Sequence, residues 1–238
     1  MTDKQENNKK MEATLKSALE LNLKVRTKSE MAIIQYGLNE AVRLTDSEIG
    51  YFHFVNPDQE TISLTTWSDS TRDYCDVSAK VTHYPISEAG VWVDCIRQRK
   101  PVFHNDYAAL PHKKGLPEGH NPVIRDLGIP VFDGDKIIGV MGLGNKKTEY
   151  NQTDINQASL IAENIYSQVK ARRIEDLRKQ LADRLSLAVR SGQIGIWEYD
   201  IVNNRLVWDD RMYELYGVDK NKKILPYIIW ENRLHPDD

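Results

Sequence analysis

The stretch IPVFDGDKIIGVMGLGN, residues 129–145, decides the fold of the chain. Two apolar runs flank the dipeptide Asp133-Gly134, and Asp-Gly between apolar runs is the strongest short-range signal for a β-hairpin. The hairpin predicts a sheet, and the sequence around it is expected to supply the other strands. Gly142 and Gly144 are interpreted as strand glycines, because a lone G-x-G is weak evidence for a phosphate loop.

Upstream of the hairpin, apolar residues recur with a period of two. EIGYFHFV (residues 48–55), TISLTTW (61–67) and AKVTHYPI (79–86) predict strands, and the turn-rich NPDQE separates the first two. PVFHNDY (101–107) predicts a short strand that runs into a long loop. Between these strands, Ser87 is expected to cap a helix over residues 88–100, with Glu88 in its first turn.

A helical pattern precedes the strands. Leu15, Leu19 and Leu23 recur at spacings of four, which predicts a helix with an apolar stripe. Thr27 and Glu30 fit a capping box that would restart the helix before the first strand.

A second, longer helical pattern follows the hairpin, with Thr153 or Asp154 as its cap and apolar residues as far as position 188. That length predicts a linker between domains, either solvated or paired in a two-stranded coiled coil. After Ser191-Gly192 the period changes again. QIGIWEYDI (193–201) and RLVWDD (205–210) predict a second hairpin, followed by a short helix that ends at Gly217.

Composition limits the classes of function. Lys and Arg number 32 against 35 Asp and Glu, a net charge of -3, which argues against a sequence-independent nucleic-acid binder. The first ten residues lack the apolar core of a signal peptide. The sequence also contains no run of about 18 apolar residues, the length that a membrane-spanning helix needs. The two cysteines form neither a disulfide framework nor a zinc ribbon. We therefore expect a cytoplasmic protein.

The motifs from about residue 27 to 169 resemble, in order, those of a GAF domain. The resemblance lies with a subgroup whose motifs are here Gly50-Tyr51, Trp67-Ser68, Gly90-Val91-Trp92, Arg99 with Pro101, Asn105-Asp106-Tyr107, Pro117-Glu118-Gly119-His120 with Arg125, and Asn145-Lys146. It implies an α+β fold in which helices flank an antiparallel sheet.

The segment from residue 195 to 217, followed by Trp230 and LHPDD (234–238), resembles the first half of a PAS domain of bacterial and archaeal sensors. A complete small domain takes about 100 residues, so we expect a fragment of a longer receptor or a truncated gene. The two resemblances imply an N-terminal helix (1–26), a GAF domain (27–169), a coiled-coil linker (170–190) and an incomplete PAS domain (191–238). Relatives with this order usually end in a histidine kinase or another signalling output, of which these residues show no motif.

The loop over residues 101–125 contains side chains that could bind a metal. His104, Asp106, His112 and His120 offer nitrogen and oxygen ligands of the kind that zinc takes. Their spacing matches no compact ligand pair, and a good site needs an ordered second shell. No metal site is therefore predicted.

The two cysteines are the candidates for covalent or redox chemistry. Cys75, with Arg72 nearby, is the better redox candidate, whereas Cys95 fits a buried helix position. Some GAF relatives reduce methionine sulfoxide through cysteines, and phytochrome-type GAF domains attach a bilin to a loop cysteine that is absent from residues 101–125. No nucleophile, base and orienting group form a recognisable set. No catalytic residue is predicted, and whether the chain is an enzyme stays open.

Non-covalent binding of a small molecule is the leading interpretation, with residues 101–125 as a lid loop. Apolar walls and a few polar groups are typical of such pockets, and Arg125 could grip a carboxylate or phosphate. The two tryptophans fit a core equally well, and the Asn-Asp pair is equally suited to capping a turn. The predicted ligand-binding residues are Trp67, Tyr84, Trp92, Asn105, Asp106, Tyr107, His120, Arg125 and Asn145; no cofactor is identified.

The resulting functional expectation is a sensory fragment in a two-component phosphorelay. A signal would bind the GAF pocket and shift the long helix between two arrangements. Pairing of the terminal helices would make a parallel homodimer with Leu177, Leu181 and Leu185 at its seam. Two alternatives stay open: a structural dimerisation module without a ligand, and a redox sensor or enzyme that uses Cys75.

Overall fold

The computed structural model describes residues 2–24, 28–74, 83–114, 122–220, 226–233 and 235. The chain divides into two units, residues 1–174 and 175–238. The first unit has the predicted α+β architecture, with one six-stranded antiparallel sheet in the order β3-β2-β1-β6-β5-β4. Its strands are β1 (Ile49–Val55), β2 (Thr61–Trp67), β3 (His83–Pro85), β4 (Val102–His104), β5 (Asp126–Asp133) and β6 (Lys136–Gly144).

Helices cover both faces of this sheet. They are α1 (Thr2–Lys24), α2 (Glu30–Leu44), α3 (Asp69–Tyr74), a 3₁₀ turn (Val91–Val93), α4 (Asp94–Gln98) and the 40-residue α5 (Gln152–Ser191). No helix in the described part of the chain is both long enough and apolar enough to span a membrane.

The central hairpin is confirmed. Asp133 pairs with Lys136, so Gly134 and Asp135 form a two-residue turn. Gly134 has φ = +60°, a backbone conformation that glycine adopts without steric cost. Gly142 and Gly144 lie within β6, as predicted.

The core consists of two apolar clusters on opposite faces of the sheet. The face toward α1, α2 and α5 packs residues such as Phe52, Leu127 and Met141 against the helices. The face toward α4, which we call the α4 face, packs Val140, Cys95 and their neighbours. Alternate residues of a strand point to opposite faces, so each strand contributes to both clusters.

The stripe predicted for α1 lies on its exposed side. The helix is present, but its inward face carries Thr14, Ser17 and Leu21. Ser17 donates to Glu40 at 2.6 Å, so polar side chains fasten α1 to α2. The exposed apolar side chains are Met11, Leu15, Leu19 and Leu23.

The break before α2 lies near the predicted position, but its cap is different. Ser29 accepts a hydrogen bond from the Ala32 backbone N–H, so Ser29 is the N-cap of a helix that begins at Glu30. Thr27, the predicted cap, lies outside the described residues.

The helix predicted over residues 88–100 is shorter than expected. Pro85 O accepts from the Glu88 and Ala89 N–H groups in a turn, and Gly90 is extended. Helical structure therefore starts only at Val91, and Ser87 is not its cap. Of the strand predicted over residues 79–86, His83–Pro85 is observed, and residues 79–82 lie outside the described residues.

The second unit contains the second predicted hairpin, β7 (Trp197–Asp200) paired with β8 (Arg205–Trp208). Helices α6 (Asp210–Leu215) and α7 (Pro226–Glu231) follow it. Asp209 caps α6 by accepting from Met212 N–H at 2.9 Å, and Gly217 follows the helix with φ = +62°. The buried core of the second unit is small among the described residues and consists of Trp208, Met212 and Ile229.

Candidate functional site

β1 distributes its aromatic side chains between the two faces of the sheet. Phe52 and Phe54 point toward the large helices, whereas Tyr51 and His53 lie together on the α4 face. This separation follows from the alternation of side chains along a strand. The α4 face therefore receives polar-edged rings that can contact a ligand.

Five rings meet on the α4 face, and we call them the aromatic cluster. Tyr51 stacks on His53 with ring centroids 4.9 Å apart. The Trp92 ring lies edge-on to Tyr51, His53 and Tyr84, at centroid distances of 5.7, 6.0 and 6.0 Å. The Trp67 ring lies edge-on to His53 at 5.1 Å. His53 is the buried member of the cluster, and the other four residues are partly buried.

The position of Tyr51 depends on a glycine in the neighbouring strand. A Cβ at Gly142 would lie 2.0 Å from the Tyr51 ring, so only glycine lets the ring rest on the β6 backbone. The Tyr51 hydroxyl donates to Trp92 O at 3.1 Å. Burial is the main cause that raises the pKa of Tyr51 well above its ordinary value, and the negative charge of Asp126 adds to it. Tyr51 therefore stays a neutral donor at physiological pH.

His53 is a buried, neutral imidazole at the centre of the cluster. It lies at an irregularity in the β1–β2 register, and its Nδ1 is 3.0 Å from Thr65 N and 2.8 Å from Phe52 O. Burial lowers the pKa of His53 to about 3. Its residue surface is 3% exposed. Either tautomer leaves Nε2 without a hydrogen-bond partner among the described residues, so this nitrogen is free to meet a ligand.

A second group on the α4 face is the carboxylate–histidine cluster, formed by Asp94, Arg97, His104, His112 and Asp126. His112 Nε2 lies 2.7 Å from Asp94 Oδ2, and Arg97 donates to Asp94 Oδ1 at 2.8 Å. His104 Nδ1 lies 3.0 Å from Asp126 Oδ1, and its Nε2 is 3.9 Å from Asp94 Oδ2. The cluster fixes the first part of the predicted lid to α4, because His112 belongs to that loop.

The surroundings of the His104–Asp126 pair favour protonation of both groups. The hydrogen bond to Asp126 raises the pKa of His104, and burial raises the pKa of the Asp126 carboxyl group. Both shifts have the same direction, so the pair keeps its proton to a higher pH than an isolated histidine would. Burial, with the charges of Asp126 and Asp94, also raises the pKa of Tyr107.

Asn105 and Asp106, predicted to bind a ligand, bond the backbone. Asn105 Oδ1 accepts from Tyr150 N–H at 2.7 Å, and its Nδ2 donates to Tyr150 O at 3.1 Å. Asp106 is exposed and accepts from Ala109 N–H at 3.2 Å. The pair of bonds to Tyr150 ties the start of the loop to the segment just before α5.

Asn145 and Arg125 also bond the backbone, at the other end of the loop. Asn145, with φ = +59°, accepts from Ile124 N–H at 2.8 Å and donates to Pro122 O at 2.9 Å. Arg125 donates to Lys146 O at 3.3 Å through Nη1, and its buried Nε has no partner among the described residues. These two side chains join the end of the loop to the end of β6.

The segment between β6 and α5 contains a buried ion pair. Lys146 donates to both oxygens of Asp154 at 2.6 and 2.7 Å, and both side chains are buried. Asn151 Oδ1 accepts from the Thr153 N–H at 2.8 Å, and Asp154 Oδ2 accepts from Asn151 N–H at 2.9 Å. Asn151 is therefore the N-cap of α5, where Thr153 or Asp154 was predicted, and Asp154 closes the reciprocal bond of a capping box.

The nine predicted ligand-binding residues do not form one group. Trp67, Tyr84 and Trp92 meet in the aromatic cluster, and Tyr107 lies near the carboxylate–histidine cluster. Asn105, Asp106, Arg125 and Asn145 make backbone contacts around the loop. His120 and the redox candidate Cys75 lie outside the described residues.

Sequence reasoning missed Tyr51, His53, Asp94 and Asp126 as members of the site. Tyr51 stands in a motif that was used only for the family resemblance, and a period-two reading of β1 places His53 on the same face. Among the described residues, no three His, Cys, Asp or Glu side chains are grouped so as to hold a metal ion. The carboxylate–histidine cluster is instead a network of hydrogen bonds.

Two curated proteins are similar to parts of the chain. A methyl sulfide methyltransferase-associated sensor from Methanosarcina acetivorans is 38% identical over 157 residues, which are 66% of this chain and 16% of that protein. A probable diguanylate cyclase, DgcE, from Escherichia coli is 37% identical over 67 residues, 28% of this chain and 6% of that protein. The chain therefore spans a small part of either relative.

Solved structures share the fold at low identity. The GAF domain of an Acinetobacter phosphoenolpyruvate-protein phosphotransferase superposes with a TM-score of 0.57 at 14% identity, over 70% of this chain and 96% of that one. A free methionine-R-sulfoxide reductase from Neisseria meningitidis superposes with a TM-score of 0.56 at 13% identity, over 71% and 93%.

A model of the GAF domain family matches residues 27–166, which include the whole sheet and both clusters on its α4 face. The matched residues contain the motifs from Gly50 to Lys146 that resembled this family, and the neighbouring folds agree with the match. The chain belongs to the GAF domain family.

Proposed function

We propose that this GAF sensory domain binds a small molecule non-covalently at the aromatic cluster. The observation that carries the proposal is the set of four partly buried aromatic residues around one buried, neutral imidazole. Small-molecule sites are mostly lined by apolar and aromatic side chains, with a few polar groups that fix orientation. His53 Nε2 and the carboxylate–histidine cluster would supply those polar groups.

Binding would reach α5 through the loop that borders the site. His112 fastens this loop to α4, and Asn105 fastens it to Tyr150. Tyr150 is followed directly by the capping box of α5, which the buried Lys146–Asp154 pair supports. A ligand that favours one position of the loop would shift the equilibrium of α5 by its differential affinity for the two states.

We propose that the chain is part of a longer cytoplasmic protein. In that protein the signal would pass through a PAS domain to a histidine kinase, which would produce the output. Both curated relatives are much longer than the matched segments, and one of them is described as a sensor. We further propose a parallel homodimer through the distal half of α5, where Leu177, Leu181 and Leu185 are exposed at spacings of four. This stripe is equally compatible with a structural module that binds no ligand.

A redox function through Cys95 has little support, and the candidate Cys75 lies outside the described residues. Cys95 is buried, and burial raises the pKa of its thiol to about 12, so it holds little reactive thiolate. The likeness to a methionine sulfoxide reductase rests on 13% identity and bears on the fold alone.

Native mass spectrometry of the chain purified without added ligand tests the binding proposal. We expect a mass above that of the protein, lost on denaturation, lost in Trp92→Leu and kept in Trp197→Leu, whose tryptophan is exposed on β7. Bound mass that Trp92→Leu retains would refute the aromatic cluster as the site. Bare protein that also gives no tryptophan fluorescence response in a metabolite screen would favour the structural module.

The dimer is tested separately by analytical ultracentrifugation. We expect Leu177→Lys with Leu181→Lys to give monomers, because charges at a helix seam oppose pairing. Lys179→Glu, at an exposed position off the stripe, is the matched control and should stay dimeric. A wild-type monomer at high concentration contradicts the proposed seam.

A further inference from the structure

Helix α1 has large apolar side chains on its outward side and polar ones on its inward side. Thr14 and Ser17, which face the domain, are 0% and 4% exposed. A surface helix usually buries its apolar stripe against the core, so the outward side of α1 is an apolar surface that the described residues of the domain leave uncovered. We call it the α1 stripe; its residues recur at spacings of four and are 43–70% exposed: Met11, Leu15, Leu19 and Leu23.

Hydrogen bonds fix which side of α1 faces the domain. Ser17 donates to Glu40 of α2 at 2.6 Å, and Gln157 of α5 donates to the Thr14 hydroxyl at 3.0 Å. Leu21, also on the inward side, is 1% exposed. A rotation of α1 that buried the stripe would break both bonds and expose Leu21. We therefore expect the α1 stripe to be covered from outside the domain.

Helix α1 runs in the same direction as the first part of α5. Gln157 contacts Thr14, and farther along both helices Gln168 donates to Asn22. Because the later residue of α5 contacts the later residue of α1, the two helices are parallel. The α1 stripe therefore extends along the direction in which α5 leaves the sheet.

The exposed stripe of α5 begins just past the end of α1. Its first residue, Ile174, is 48% exposed and lies about 9 Å beyond Gln168 along the helix. Ile174 is also about two and a half turns from Ile165, which packs in the core, so the two side chains lie on opposite sides of α5. Ile174 thus points outward, as the α1 stripe does, and the two stripes follow one another.

Size and charge favour a second copy of the chain as the occupant of the α1 stripe. A stable interface takes roughly 20–30 residues per side, so neither stripe suffices alone and the two together come closer. A helix that lies on a membrane surface is rich in Lys and Arg, whereas α1 carries five Lys and four Asp or Glu residues. A second copy offers an equally balanced helix with the same apolar stripe.

We propose that the α1 stripe packs against the α1 stripe of a second copy of this chain, and that the exposed stripe of α5 continues the same interface. This inference rests on the proposed function, because it adds a second helix to the homodimer proposed there. A twofold interface brings the same surface of both copies together. The four apolar side chains of α1 are buried in this dimer.

Analytical ultracentrifugation of the full chain tests the contribution of α1. We expect Leu15→Lys with Leu19→Lys to raise the dimer dissociation constant at least about tenfold, because charges replace apolar contacts. Both positions are exposed in the single chain, so circular dichroism should show an unchanged fold. Lys100→Glu, at an exposed position just after α4, is the control and should leave the constant unchanged. An unchanged constant in the α1 variant overturns the inference.

Photocrosslinking identifies the occupant without removing a contact. With p-benzoylphenylalanine in place of Leu19, irradiation should join two chains, and mass spectrometry should find the joined peptide in α1 of the partner. The same group in place of Lys100 should join none. Cross-links from position 19 that stay within one chain, or that reach another element of the partner, would contradict the pairing of α1 with α1.

The outcomes separate this inference from the proposed seam. If Leu177→Lys with Leu181→Lys gives monomers while the α1 variant dimerises like the unmodified chain, the inference fails and the seam stands. If only the α1 variant gives monomers, the inference stands and the seam fails. An unmodified chain that is monomeric at high concentration refutes both, and its sedimentation with phosphatidylglycerol vesicles would assign the α1 stripe to a membrane surface instead.

Discussion

Replacement of Lys146 by methionine tests how firmly the candidate site is joined to α5. Lys146 donates to both oxygens of Asp154, and the side chains of the two residues are 5% and 2% exposed. Methionine keeps much of the apolar stem but removes the charge. Asp154 would then be a buried carboxylate whose remaining bonds come from the backbone at the start of α5.

The magnitude follows from burial. Removing one partner of a buried ion pair costs about 3–5 kcal/mol, because the other charge stays desolvated. For a protein of this size that corresponds to a fall in melting temperature of about 6–20 °C. The matched control is Lys170→Met, since Lys170 pairs with Asp133 at 2.8 Å but the two side chains are 48% and 42% exposed. Exposed ion pairs contribute little to stability, because water screens their charges.

The assay is urea unfolding followed by circular dichroism, with both variants measured beside the unmodified chain. We expect Lys146→Met to lose several times more unfolding free energy than Lys170→Met. A double variant, Lys146→Met with Asp154→Leu, should regain most of the loss, because it leaves no buried charge. Equal losses in the two single variants would refute the reasoning, since they would show that burial of the pair does not set its energy.

Three further predictions concern the α4 face and its loop. Asp126→Asn should lower the pKa of His104, as measured by NMR titration of its ring protons, and an unchanged titration midpoint would contradict the proposed hydrogen bond. The unmodified pair stabilises the fold below about pH 6.5. It loses that contribution as the pH rises through the raised pKa of His104. The peptide carrying Cys95 should react with a thiol reagent about 100-fold more slowly in the folded than in the unfolded chain, given a thiol pKa of about 12; equal rates contradict its burial. Asn105→Ala should cost about 1–3 kcal/mol and speed hydrogen exchange at the Tyr150 amide; exchange at the unmodified rate would show that this bond is not formed.

Much of the fold was predictable, because its signals are local. Asp133-Gly134 between apolar runs sets the hairpin, and alternation along β1 sets the faces of its side chains. The predicted extent of the helix near residue 90 was wrong, because a turn at Pro85 and an extended Gly90 delay the start of that helix. The orientation of α1 depends on which partner its polar inward side chains meet, and no local pattern records that partner.

The residues of the candidate site could be named from the sequence only in part. Three of its aromatic residues could be named from motifs, but the role of Asn105 could not, because an asparagine that bonds a distant backbone has the same sequence signature as one that caps its own turn. The cap of α5 was misassigned for a related reason: Asn151 and Asp154 are both good caps, and the choice depends on the ion pair that Asp154 makes with Lys146.

Under the proposed function, the two packing faces of the sheet allow stability and recognition to diverge separately over evolutionary time. Substitutions of Trp67 or Trp92 on the α4 face would alter recognition, while the cluster around Phe52 and Met141 on the other face stays intact. Distant changes without shared partners combine nearly additively. Descendants of such a domain could therefore acquire new chemical specificities by altering a few ring positions, without first gaining a reserve of stability.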